Sequence, residues 1–485
     1  MLKRRLHPLY RAVLAGLSLC LFSLGAQAAL PEAVAQPLKA AGIPAAHVAL
    51  WVAPASGGAP SLQHNVDAAF NPASVMKLLT SSAALEVLGP SFSWSTEAFV
   101  QGELRDGVLN GRLILRGGGD PALSWERFDA FLRELRGRGL REIRGDVLID
   151  RSLFAPASRE DFDDQPDRAY NAMPDALLVN FKALSLRLIP TAPKQLISAS
   201  SMLPFAPLQI DNTLLATPGA CNDWRAGIRS EFSSQGEQLR LKLSGSMPAS
   251  CGERVLNLAM HDGLRMTASV FRALWAELGG SLTGSVREAG PAEAVPPEQP
   301  PFASWRSPSL GEVLRDMNKY SNNVMARHLF LSLGRNDSRQ PLTTQLGEQR
   351  LRDWLASRQL NLPGLVLENG SGLSRRERIS AAGLGNLLQS MWLSPYMPEL
   401  LASLPIAGED GTARRRFGKQ PVSGFARLKT GSLNDVMSTA GYVLDSKGQW
   451  QAVVLMINDA RAEQAEAATI AAINYVFQPA ASSAR

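Results

Sequence analysis

The stretch Asn71–Gly89, NPASVMKLLTSSAALEVLG, decides how this 485-residue chain is read. Asn71-Pro72-Ala73 favours a turn. Val75, Leu78, Leu79, Leu85 and Leu88 then recur at helical spacing until Gly89-Pro90 end the run. Ser74 therefore stands at the first turn of a helix, and Lys77, three residues on, shares its face. A serine hydroxyl is a poor nucleophile until a base takes its proton. Lysine can be that base if burial or another cation keeps its amine neutral. The helix N-terminus favours the negative charge that develops on oxygen. Alone, Ser-x-x-Lys arises by chance in a chain this long, and an N-cap serine beside a solvated lysine is the plain alternative. Of the ten lysines, Lys77 alone has serine three residues before it.

Upstream lie a strand-like run, His47–Ala53, a Gly57-Gly58 turn and a weaker strand, Ser61–His64. Downstream of Ser91 short alternating segments predict β structure as far as about residue 265, including EIRGDVLID (142–150), ALSLRLI (183–189) and EQLRLKLSG (237–245). Helical texture returns at Met266–Leu278. After a Pro-rich linker it continues through Leu310–Leu333, Thr343–Ala356, Ile379–Leu393 and Met397–Leu404. Strands at Gly424–Leu428, Thr439–Leu444 and Gln451–Ile457 precede a last helix, Arg461–Phe477. Strands at both ends of the chain flank helices. One antiparallel sheet built from both termini, with helices on its faces, buries them most simply. The expected class is α/β in the α+β sense, with a large β-rich insertion. The expected division is 1–28 targeting segment, 29–90 first part of the main domain, 91–265 insertion of two subdomains, and 266–485 second part.

Two more motifs follow Ser74 and Lys77. Ser321-Asn322-Asn323 lies between two helical patterns. The Ser321 hydroxyl can relay a proton, and the Asn323 side chain can hold Lys77 and a substrate amide; a loop or cap is the alternative. Lys429-Thr430-Gly431-Ser432 follows the strand FARL. A cation, a hydroxyl and a glycine without Cβ at a strand edge suit an extended peptide ending in a carboxylate. The backbone N–H groups of Ser432 and Ser74 can form an oxyanion hole. A strand end with a turn is the alternative for this tetrapeptide taken singly.

In this order the three motifs are the set found in penicillin-binding proteins and β-lactamases, and the chain resembles that superfamily. Within it the chain is similar to the D-alanyl-D-alanine carboxypeptidase/endopeptidase family of low-mass penicillin-binding proteins, peptidase family S13. The large insertion between Ser74 and Ser321 carries that likeness. So do LRGGGDPAL (115–123), GDVLIDRSLF (145–154), YSNNVMARHL (320–329), NGSGLSR (369–375), AGEDGTARRR (407–416) and LKTGSL (428–433). Glu368-Asn369 departs from it, since an aspartate is expected next to Gly370. The resemblance implies a penicillin-binding/β-lactamase-like domain and a serine enzyme that cuts peptidoglycan stem peptides. Ser74 would attack a D-alanine carbonyl and Lys77 would take the proton. Ser321 and Lys429 would protonate the leaving amine, and water would release the acyl-enzyme. β-Lactam antibiotics would acylate Ser74 as covalent inhibitors. The resemblance also implies an acidic residue of the insertion that holds a diaminopimelate amine. Asp150 is the candidate, with a strand-end aspartate capping a turn as its alternative. A β-lactamase and a catalytically silent wall-binding protein are the competing functions. The large insertion argues against the first and the intact motifs against the second.

Met1–Ala28 has a basic start, an apolar run from Ala12 to Leu24 and Ala26-Gln27-Ala28, which predicts a secretory signal cleaved after Ala28; an uncleaved anchor is the alternative. Four of the six net positive charges leave with it. No basic cluster alternates with aromatics, so nucleic acid is not an expected partner. Cys221 and Cys251 then remain. An even pair in an exported chain predicts one disulfide, two buried thiols being the alternative. The five histidines are scattered and no zinc-ligand spacing occurs, so neither a metal nor another cofactor is expected. No later segment suffices to span a bilayer, and QPAASSAR (478–485) offers no anchoring helix. The expectation is an exported, periplasmic protein, at most loosely attached to the membrane.

Overall fold

The computed structural model describes residues 29–478 apart from 157–161, 164, 192–195, 237, 297 and 337–339. The expected signal segment 1–28 lies outside the described residues. Both ends of the described chain meet in one antiparallel five-stranded sheet. Its order is Ala426–Leu433, Val436–Leu444, Trp450–Asn458, Val48–Pro54, Leu62–His64. Alternation along Val48–Pro54 serves two cores at once. Val48, Leu50 and Val52 face helices Glu32–Ala40 and Glu466–Phe477, packing with Val34, Leu38 and Ile473. Ala49, Trp51 and Ala53 face the opposite layer, where Leu78, Leu79, Leu384 and Leu388 pack from helices Lys77–Leu88 and Ala381–Trp392.

The insertion contains two further sheets around one core of its own, shared with helices Trp125–Gly137 and Gly263–Glu277. In packing terms it runs past residue 265. Met266, Phe271 and Trp275 are buried in that second core, and Ala303–Arg306 pairs with Ser95–Arg105. Helical periodicity shows that a segment has an apolar face but not which core the face meets, so the return of helices at 266 did not mark a return to the main domain. Cys221 and Cys251 form a disulfide within the insertion, closing a separation of 30 residues.

Candidate active site

The Ser74 segment begins as a 3₁₀ turn, Ala73–Met76, that runs into the helix Lys77–Leu88. Three residues per turn bring the side chains of positions i and i+3 into line. Ser74 and Lys77 therefore meet more directly than in a regular α-helix, and Lys77 Nζ lies 3.1 Å from Ser74 Oγ. The turn is held from several sides. Ala73 has a φ of +47°, a conformation that costs a non-glycine residue energy. Its N–H donates to Asn71 Oδ1 at 2.9 Å, and Ser438 Oγ donates to the Pro72 carbonyl at 2.6 Å. Asn71 is tied to the neighbouring sheet by two bonds with Asn458, of 2.7 and 3.0 Å.

Ser321 and Asn323 reach the same place from a helix junction. Ser321 is the left-handed C-cap of Leu310–Tyr320, with φ +56°. Asn322 caps the next helix, Asn323–Leu333, by accepting from the Met325 N–H. The two helices thus meet end to end with Ser321 and Asn323 at the corner. Lys77 Nζ donates to Asn323 Oδ1 at 2.7 Å and to the Ser371 carbonyl at 2.5 Å. Asn323 Nδ2 donates to the Tyr170 carbonyl of the insertion at 3.2 Å.

Lys429–Ser432 lies inside the edge strand Ala426–Leu433, not after it as expected. The turn Ala73–Met76 packs against this strand and its neighbour Val436–Leu444. Lys429 Nζ donates to Ser321 Oγ at 2.8 Å and to the Thr430 carbonyl at 2.7 Å, and Thr430 Oγ1 donates to Thr412 Oγ1 at 2.7 Å. Gly431 touches the turn: a Cβ there would lie 2.9 Å from both the Pro72 carbonyl oxygen and the Ser74 nitrogen. Ser432 is exposed. Ser74, Lys77 and Asn323 form one bonded group, Ser321, Lys429 and Thr430 form a second, and the close approach of Gly431 to the Ser74 turn brings the two together.

The site holds two wholly buried lysines. Burial, the Lys429 charge and Arg327 hold the Lys77 amine well below its usual range, while Glu377 pulls the other way. Burial and then Arg416 bring Lys429 down to about 7.

Asp150 is placed elsewhere. It is buried, Oδ2 accepts from Arg116 Nε at 3.1 Å, and Oδ1 accepts from the Ser152 backbone and hydroxyl at 3.0 and 2.6 Å. It caps the turn after its strand and lines a cavity of about 570 Å³ that includes no motif residue. Arg116 and Ser152 take three of the roughly four acceptor positions of this carboxylate, and Asp150 lines the cavity wall, so the ligand-amine role expected of it stands as a proposal.

Sequence reasoning did not single out Ser371, Glu377, Thr412 or Arg416. Ser371, Thr412 and Arg416 lie in NGSGLSR and AGEDGTARRR, segments that carried the family likeness without an assigned role. Arg416 Nη2 is 3.5 Å from Ser432 Oγ, and its buried Nη1 has no hydrogen-bond partner among the described residues.

A model of the D-Ala-D-Ala carboxypeptidase 3 (S13) family matches residues 28–477. The chain belongs to that family. This S13 enzyme is 29% identical over 404 residues to a D-alanyl-D-alanine carboxypeptidase of Actinomadura sp. (strain R39), covering 78% of this chain and 71% of that one. Its fold matches crystal structures of penicillin binding protein 4 (dacB) from Haemophilus influenzae. One has a TM-score of 0.74 at 23% identity and covers 92% of this chain and 99% of that one. The other, complexed with a β-lactam, has a TM-score of 0.71 at 23% identity, with 91% and 98% covered. The expected penicillin-binding-like fold and serine carboxypeptidase class are those of the family.

Proposed function

We propose that this S13 enzyme hydrolyses D-Ala-D-Ala bonds of peptidoglycan stem peptides through an acyl-enzyme on Ser74, with Lys77 as base. The bonding of Lys77 carries this reading. A neutral amine has two N–H groups and one lone pair. Asn323 Oδ1 and the Ser371 carbonyl are both acceptors and take the two N–H groups. The lone pair is left for Ser74 Oγ, the third neighbour. Ser74 Oγ then bonds to the penultimate carbonyl carbon as its proton passes to Lys77. The C–N bond breaks as the proton held by Lys77 passes by way of Ser321 and Lys429 to the leaving amine, which returns Lys77 to its neutral form. Lys429, near 7, is matched to such transfer at neutral pH. Water cleaves the ester and Lys77 serves again as base. In a β-lactam the departing nitrogen stays tethered, so the ester persists.

Thr430, Ser432 and Arg416 supply the carboxylate end of the site. A guanidinium with a free buried N–H next to a sheet-edge hydroxyl suits the α-carboxylate of the leaving residue. Arg416→Ala is expected to lower kcat/KM on a stem ending in free D-Ala by roughly 10–100-fold, the worth of one charge-assisted hydrogen bond. A stem with an amidated terminus, slow at the outset, changes less than about 2-fold. Equal losses on both, measured by D-Ala and D-Ala-amide release, remove Arg416 from recognition.

The signal-like segment 1–28 and the Cys221–Cys251 disulfide support export to an oxidising compartment, in a diderm cell the periplasm. Among the described residues no helix is long and apolar enough to cross a membrane.

Mass spectrometry of purified muropeptides after incubation with the protein tests the reading. Pentapeptide stems shortened by one alanine indicate carboxypeptidase action. Cross-linked dimers split into monomers indicate endopeptidase action. Unchanged muropeptides overturn the proposal, and rapid turnover of benzylpenicillin in their place establishes a β-lactamase.

A further inference from the structure

Beneath Ser74 and Lys77 runs the turn Asn369–Gly372. Besides the Ser371 carbonyl on Lys77, the Gly370 carbonyl accepts from Thr80 Oγ1 at 2.7 Å. Gly372, at φ +79°, packs so closely on Ala73 that no Cβ fits between them. Asn369 Oδ1 accepts from the Ser371 N–H and hydroxyl at 3.0 and 2.6 Å. Any shift of this turn therefore moves the acceptor that orients the Lys77 amine.

Glu377 organises the turn from below. It is wholly buried, and its Oε1 accepts from the N–H groups of Glu368, Asn369 and Gly370, each at 3.1 Å. Its Oε2 has no hydrogen-bond partner among the described residues. Burying a carboxylate is costly unless donors and a cation offset it, and a neutral side chain of the same shape would fill this space at lower cost. Burial raises the Glu377 carboxyl above its usual range, and the positive group that opposes this is Lys77 in its protonated form. The other charged groups acting on the Lys77 amine are positive, Lys429 from the sheet edge and Arg327 from the helix Asn323–Leu333. Arg376 and Glu368 pair with each other at the outer end of the turn. Among the described residues Glu377 is the buried acid of this turn.

We propose that Glu377 is a positioning residue for Lys77: held on three backbone N–H groups, it fixes the turn whose Ser371 carbonyl receives the lysine amine, and it supplies the negative charge opposing Lys429 and Arg327. The proposal rests on Lys77 acting as the base toward Ser74. It gives Glu377 two effects. One is geometric and scales the rate at every pH. The other is electrostatic and sets the pH at which Lys77 loses its proton.

The test is the rate of benzylpenicillin acylation across about pH 5 to 9. In the wild type the rate rises with pH as Lys77 deprotonates. Glu377→Gln keeps the acceptor for the three N–H groups but removes the charge. Lys77 then binds its proton less tightly, and the acidic limb moves down by about half a pH unit or more. Glu377→Asp keeps the charge, so the rate falls while the limb stays within about 0.2 unit. A Gln variant with the wild-type limb overturns the proposal. If the Gln variant does not fold, Glu377→Asp decides, and an unchanged rate with an unchanged limb is then the contrary result. A wild type that forms no covalent adduct refutes the reading of Ser74 and Lys77 itself, whereas an adduct whose pH limb ignores Glu377 refutes this proposal alone.

Discussion

Ser74→Ala protein incubated with labelled benzylpenicillin is expected to carry no covalent label, and its release of D-Ala from pentapeptide stems falls by roughly 10⁴-fold or more. The loss is that large because, among the described residues, no other hydroxyl is placed to substitute. The Ser321 hydroxyl accepts from Lys429, and Ser74 is the hydroxyl that the described structure places on the Lys77 amine. Lys77→Ala is the companion measurement. It leaves the hydroxyl but removes the base, with an expected loss of roughly 10²–10⁴-fold in acylation. The two variants fail differently with pH. Residual acylation in Lys77→Ala no longer rises through the lowered Lys77 titration, because the group that titrates is gone. Ser74→Ala is flat at background. A Lys77→Ala protein labelled at the wild-type rate would mean that another group takes the proton, and the bonding argument for Lys77 would fail with it.

The constellation was legible because the chemistry proposed for it needs particular residue types at short spacings. Ser74 and Lys77 are three apart on one turn, Ser321 and Asn323 two apart at a helix junction, and Lys429–Ser432 consecutive on one strand. Each spacing is local, so periodicity and turn chemistry place it. The main sheet was legible for a related reason: VALWVAP and the closing hairpin are short, nearly continuous apolar runs buried on both faces, and burying them in one sheet needs both termini. What stayed hidden is set by contacts between distant segments. Gly263–Glu277 reads as a good helix, but only packing assigns it to the insertion core. Asp150 reads as a strand-end acid that holds a ligand amine or caps a turn, and only the fold brings Arg116 to it across the parallel pairing of their strands. Glu377 looks like one more charge in the polar run Arg375–Arg378. Its burial follows from the chain turning back to put Glu368–Gly370 over its carboxylate, eight residues away in sequence.

Gly431→Val is expected to cost roughly 10²–10³ in acylation, the range for loss of an oxyanion donor, although glycine bears no reacting atom. The reason is space. A Cβ at 431 would press on Ser438 Oγ and lie 2.9 Å from the Pro72 carbonyl oxygen and the Ser74 nitrogen, closer than carbon packs against backbone. Strand or turn must give way. If the strand retreats, it carries Lys429 from Ser321 and withdraws the backbone that a substrate would pair with. If the turn retreats, the Ser74 N–H leaves the place where it can meet an oxyanion. Displacing the Ser438 hydroxyl also cuts its bond to Pro72, one of the ties on the strained turn. Gly431→Ala should show the same defect in smaller measure, and the double change Gly431→Ala with Ser438→Gly separates the two causes. It clears the hydroxyl but leaves the Pro72 carbonyl and the Ser74 nitrogen where they are, so only part of the activity should return. Full recovery would show that the hydroxyl alone was crowded and that the approach of Gly431 to Ser74 has no part in catalysis. Labelling of Gly431→Val at the wild-type rate would remove the sheet edge from the site altogether.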